Sequence, residues 1–138
     1  MITDLQRLPD WRLYLDAVVH ERLNRPFCWG IQDCALWAAD CVLAITGQDL
    51  APDLRGHRTA RQALQTLRLR GGLFGIASAV LGPAVSVHRA QEGDVLLIGI
   101  GKRTALGVQL HGALAVGPGM HGLCAVPNRD ALCAWKVG

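Results

Sequence analysis

Residues 33–47 read Asp-Cys-Ala-Leu-Trp-Ala-Ala-Asp-Cys-Val-Leu-Ala-Ile-Thr-Gly, and this stretch leaves the chain little choice of fold. Asp33 is a good N-cap residue and Gly47 a natural stop, so the segment predicts a helix from about Asp33 to Thr46. Between those ends the helix is apolar on every side. Such a helix has no face to give to water and must be enclosed in the middle of a domain. Asp40 is its one interior charge. A carboxylate withdrawn from water needs partners, and Arg55 or Arg58 in the following loop can supply them. That structural role is preferred for Asp40 over catalysis.

The rest of the chain must wrap this helix. Its 138 residues suit one domain, 1–138, with one core. Asp10 can cap a first helix over about Trp11 to Leu23, with Trp11, Tyr14, Leu15, Val18 and Arg22 on one stripe. Pro26 forces its end. Gln48 to His57 reads as a polar loop. Thr59 can cap a third helix, Ala60 to Arg70, closed by Gly71-Gly72, and a short fourth runs from Leu73 to Leu81. The period then changes. Val95 to Ile100 is a continuous apolar run. Ala105 to Leu110, Ala113 to Val116 and Leu123 to Val126 are short strand-like segments. His111-Gly112 and Gly117-Pro118-Gly119 separate them as turns. Asn128 to Ala134 reads as a final helical turn. Helices first and strands after predict an α+β fold, the N-terminal helices packed on a C-terminal antiparallel sheet.

Composition matters mainly for what it excludes. Hydrophobic residues make up 51% and charged residues 18%, which is a folding chain rather than a disordered one. A net charge of +3 is too small and dispersed for nucleic-acid or membrane-surface binding. Arg55, Arg58, Arg61, Arg68 and Arg70 read as a solvated basic face. The apolar stretch Leu73 to Val87 carries no charge but is too short to span a bilayer. The start, MITDLQRLPDW, has no apolar signal region, so a soluble chain made in the cytoplasm is expected. The cysteines at 28, 34, 41, 124 and 133 show no zinc-type spacing. Reduced thiols are expected, with no metal and no cofactor.

Cys34 is the residue to weigh for chemistry. As the first residue after an Asp33 cap it meets unpaired N–H groups and the positive end of the helix dipole. That field favours a thiolate and can stabilise an oxyanion. The segment RPFCWGIQDCALWAADCVLAITGQD, residues 25–49, resembles the NlpC/P60 superfamily of papain-like cysteine peptidases. It resembles most a small tail-associated branch of that superfamily found in bacteriophages and prophages. Trp29-Gly30, Asp33-Cys34 and Gly47 carry the likeness. EGDVLLI, residues 92–98, and ALGVQLHG, residues 105–112, match the strands that follow. The resemblance implies a papain-like fold with Cys34 as nucleophile and a histidine base opening the strand after the Gly-Asp strand.

That histidine is where the pattern breaks, and two registers fit. In the first, Leu106-Gly107-Val108-Gln109 takes the strand motif and Ala105 holds the place of the histidine. In the second, His111 is the base and Ala113 to Val116 is the strand. The first is preferred because it places Gly107 and keeps a two-residue hairpin, and it implies a pseudoenzyme. His121 is a further candidate base. His20, His57 and His88 read as edge or loop residues.

The resemblance implies a component of a phage tail tip or baseplate, in the virion, made in the bacterial host cytoplasm. Its partners would be other tail proteins such as the hub, distal tail and tape-measure proteins. Trp11, Trp29 and Trp135 would be the aromatic anchors of such contacts. The alternative is an active cysteine peptidase or amidase carried by the virion against peptidoglycan, with Cys34 as nucleophile and His111 as base. An acyltransferase on the same scaffold is a third reading.

Overall fold

The computed structural model describes residues 5–29, 31–56 and 59–138. The central helix, α2, runs Cys34–Thr46. Asp33 Oδ1 accepts the Leu36 N–H at 2.9 Å, and Gly47, with φ +81°, donates to the Leu43 carbonyl at 2.8 Å. Both ends are thus closed as the residue types demand. Trp37, Cys41 and Ile45 are wholly buried.

Helix α1, Trp11–Arg22, packs beside α2 through Leu15, its one fully buried residue. Asp10 stands at the cap position, but its side chain makes no capping bond. The guanidinium groups of Arg7 and Arg12 lie 4.3 and 4.5 Å from the Trp11 ring. The expected polar loop after α2 contains a short 3-10 turn, Pro52–Leu54, which tucks Ala51 and Leu54 into the protein. Helix α3 spans Ala60–Leu69, capped by the Thr59 hydroxyl, and α4 spans Gly72–Leu81.

The sheet follows as β1 (Val95–Ile100), β2 (Arg103–Leu110), β3 (Leu114–Gly119), β4 (Gly122–Pro127) and β5 (Ala131–Trp135). All pairs are antiparallel, in the order β4-β3-β2-β1-β5. Two sequence expectations need correction. Gly117-Pro118-Gly119 is the end of β3 rather than a turn, and the turn falls on Met120-His121. Pairing of β3 with β2 covers only Val108↔Val116 to Leu110↔Leu114, so Pro118 sits where no β2 neighbour asks for its missing N–H. The second correction concerns Asn128 to Ala134. Only Asn128–Asp130 makes a helical turn, and from Ala131 the chain is β5 along β1. Local pattern cannot announce a strand whose only support is a distant partner.

Helices α2 and α4 with Leu15 cover one face of the sheet, meeting Val95, Leu97, Leu106, Val108 and Val116. Leu96, Ile98, Ala115 and Ala134 point to the other face, under Val85, Val87 and Val126. The first four residues of β1, Val95 to Ile98, are therefore buried on both sides, which is why they read as an unbroken apolar run.

Asp94, just before β1, is fully buried and closes the fold. Its carboxylate meets Arg7 Nη2 at 3.0 Å and Lys136 Nζ at 2.6 Å, and accepts the Val137 and Gln91 N–H groups at 2.9 and 2.8 Å. Gly93 must be glycine. Its φ is +91°, and a Cβ there would press on Arg7 Nη1 at 3.0 Å and Ile45 Cδ1 at 3.1 Å. The Gly-Asp pair is thus a structural junction.

Candidate active site

Cys34 is the first residue of α2, as its sequence position predicts. The chain before it is held in a tight loop. Cys28 and Gln32 exchange backbone hydrogen bonds, at 3.1 Å from Cys28 N to Gln32 O and 2.7 Å from Gln32 N to Cys28 O. Gly30, half of the Trp29-Gly30 pair, lies outside the described residues. Phe27 and Trp29 meet edge to face with ring centres 4.6 Å apart. The Phe27 N–H also reaches the Gly119 carbonyl at 2.8 Å, fixing the loop to the β3–β4 hairpin.

Beneath this loop lies a charged cluster. Arg22 Nη1 donates to Gln32 Oε1 at 2.9 Å and stands 2.7 Å from Asp40 Oδ2. Arg55 Nη2 pairs with Asp40 Oδ1 at 2.7 Å, and Arg55 also holds Asp49. Arg55 lowers the pKa of Asp49 and is itself raised by it. Arg55 was one of the two partners expected for Asp40. The other, Arg58, lies outside the described residues. Sequence reasoning missed Arg22 as the second partner, although a signal was present. An arginine on the apolar stripe of α1 needs an acid just as a lone aspartate inside α2 needs a base.

The thiol lines a shallow, open cleft together with Trp29, Leu54, Thr66, Leu67 and Leu73. Its pKa is raised above the ordinary thiol value, chiefly because burial penalises the charged form. The main-chain N–H of Leu106 opposes this, the Asp33 carboxylate adds to it, and the N–H groups of Cys34 and Ala35 pull modestly the other way. Leu106 is available because β3 has already turned from β2 at that level. The helix field is present, as expected, but burial outweighs it. Cys41 is pushed well up by full burial and Cys133 up by partial burial, while Cys28 and Cys124 are exposed.

The candidate bases stand elsewhere. His111 is exposed on the β2–β3 turn, five residues along the strand from Leu106, or about 16 Å of extended chain. His121 is exposed on the β3–β4 turn. Neither lines the thiol cleft. His20 and His88 are exposed, and His57 lies outside the described residues. Ala105 is on β2 but turned from the thiol. It pairs with Ile98, which faces the second core, and a Cβ on its face-mate Gly107 would strike Ile98 Cδ1 at 2.8 Å. Alternation therefore gives the thiol side of β2 to Leu106 and Val108. Trp11 and Trp29 are half-buried, while Trp135 is fully buried with its Nε1 donating to Ser78 Oγ at 3.2 Å. Trp135 is thus a core residue, corrected from an interface anchor by the unforeseen β5.

Among the described residues no group of three or more His, Cys, Asp or Glu side chains could hold a metal ion, and no helix is long and apolar enough to cross a membrane. The model of the family described as Domain of unknown function (DUF6950) matches residues 6–137. No curated protein matches the chain. Among solved structures it is similar to the crystal structure of the NlpC/p60 domain of peptidoglycan hydrolase SagA. The TM-score is 0.57 at 19% identity, over 90% of this chain and 97% of that one. The fold is therefore α+β of NlpC/p60 type.

Proposed function

We propose, from the premise that this chain belongs to the DUF6950 family and has an NlpC/p60-type fold, that it is a catalytically silent structural component of a bacteriophage tail tip or baseplate. Its partners in this reading are neighbouring tail proteins, and its place is the virion. The observation that carries the silence is the Cys34 cleft. The thiol is buried enough to favour its neutral form, and no described histidine lines the cleft. A thiol attacking an amide without a general base forgoes about 10²- to 10⁴-fold in rate. The tail assignment is supported by the resemblance of residues 25–49 alone.

Alkylation at graded pH, followed at the Cys34 peptide by mass spectrometry, tests the silence. The expected result is slow labelling with a midpoint above that of a free thiol. A midpoint well below it, lost in His111→Ala or His121→Ala, overturns the proposal. Mass spectrometry of purified tails tests the location, and absence of this chain from them overturns it.

A second reading has one observation in its favour. Main-chain groups of Leu106, Cys34 and Ala35 favour the charged form of the thiol, as they would an oxyanion. On that reading the chain is a peptidase acting on peptidoglycan, the polymer that SagA hydrolyses by its description, and a base swings in from a hairpin turn. The same labelling profile decides between the two.

A further inference from the structure

The helices of this domain are anchored to very different degrees. Helix α2 buries most of its residues, whereas α3 buries Ala63 alone. Of the other helices and strands, α3 packs appreciably only on α4, its neighbour along the chain. Its inner face is Ala63, Thr66 and Leu67, at the spacing that brings helical side chains together. Those three side chains form one wall of the Cys34 cleft, whose other walls include Trp29, Leu54 and Leu73. The outer face, with Arg61, Leu64, Gln65 and Arg68, is exposed. Beyond its end Arg70 pairs with Asp53, but both side chains are close to half exposed, and such a pair holds weakly. The joint to α4 is Gly71-Gly72. Both residues are left-handed, with φ of +81° and +75°, and a Cβ at Gly72 would meet nothing within 4 Å. Two such glycines in open space let the chain bend at little cost.

We propose that α3 is a movable wall of the Cys34 cleft: it comes away from the domain about Gly71-Gly72, separately from α2, and so admits to the thiol molecules that the closed cleft keeps out. A helix of 10 residues is marginal in water by itself, so its detachment and its unwinding are one event. Little opposes that event beyond one buried alanine, the partly buried Leu67 and an exposed ion pair. Segments with so few buried apolar contacts open far more often than the whole domain unfolds. Helix α2, enclosed in the core, opens only with the whole. This control of access is the same on either reading of the thiol, because it decides what reaches the sulfur and not what the sulfur does.

The test uses the full chain. Hydrogen exchange comes first: the main-chain amides inside α3 should exchange about a hundredfold or more faster than those inside α2. Labelling by fluorescein maleimide, a bulky thiol reagent, is then read by mass spectrometry at Cys34, with the exposed Cys28 as internal reference. Gln65→Gly, on the outer face of α3, leaves the cleft lining untouched and weakens the helix. It should speed labelling of Cys34 about fivefold and leave Cys28 unchanged. Ala17→Gly weakens the exposed side of α1 by as much and should leave Cys34 at the wild-type rate. Equal exchange in α3 and α2 overturns the proposal without any variant. So does a folded Gln65→Gly protein with the wild-type Cys34 rate, or an Ala17→Gly protein that speeds Cys34 as much as Gln65→Gly does. The silent reading is judged separately, by the pH midpoint of alkylation in the wild type.

Discussion

The Asp94 junction and the Cys34 cleft both sit at the start of a buried element, one before β1 and the other at the head of α2, yet their surroundings are opposite in kind. Asp94 is ringed by two cations and two main-chain N–H groups. Cys34 is met by main-chain groups and one carboxylate, in a cleft whose other side chains are apolar except for Thr66. Buried charge is expensive unless paired, and this chain places its paired charge where segments must be joined. At the thiol, where a hydrolase would need a cation or a base, the described lining is mostly apolar and holds no basic side chain. The difference separates a retained scaffold from a retained activity.

Substitutions at four positions probe that contrast, in falling order of expected effect on stability. Asp94→Ala removes the carboxylate that Arg7, Lys136 and two main-chain N–H groups share, and should lower the unfolding free energy by about 3–5 kcal/mol, measured by urea denaturation. Arg22→Met leaves Asp40 with Arg55 alone and takes the donor from Gln32 Oε1, and should cost roughly 2 kcal/mol in the same assay. Asp33→Ala loses the cap bond to Leu36, at a cost of about 1 kcal/mol. Asp33→Asn should keep most of that stability, and it removes a charge that raises the Cys34 pKa. Cys34 labelling at pH 8 should therefore become faster, because more thiolate is present. Cys34→Ala is the mildest and should stay within about 1 kcal/mol of the wild type. If its cost instead matched that of Asp94→Ala, the contrast between the two regions would collapse.

Cys41 adds a pH dependence. Its folded-state pKa is raised well above that of an unfolded thiol. Above the unfolded value, about pH 8.5, the unfolded chain releases a proton that the folded one keeps, so stability should fall as pH rises further. Cys41→Ala should remove that part of the alkaline slope, seen as a flatter melting-temperature profile from pH 8 to 10.

The helices were legible because each carries its own punctuation. Asp33, Gly47 and Thr59 act on residues within one turn, and local chemistry suffices to read them. Strand β1 was legible because burial on both faces leaves an unbroken apolar run. Strand β5 was not, since Ala131–Trp135 becomes a strand only by pairing with Val95–Ile98, some 35 residues earlier. The place of Cys34 could be read from its cap. The thiol's environment could not, because it depends on which face of β2 looks at α2. A motif register places Ala105 in sequence but says nothing of the side its methyl group takes. That answer came from the partner Ile98.

The carboxylate of Asp94 also sets a schedule for folding. Its cation partners lie 87 positions before it and 42 after it, and a main-chain donor lies one position later still. On the ribosome, the first strand can pair with the second long before residues 136 and 137 emerge from the exit tunnel. Until they do, the acid must stay hydrated, and a nascent chain halted short of that point will present a half-closed sheet to chaperones and proteases.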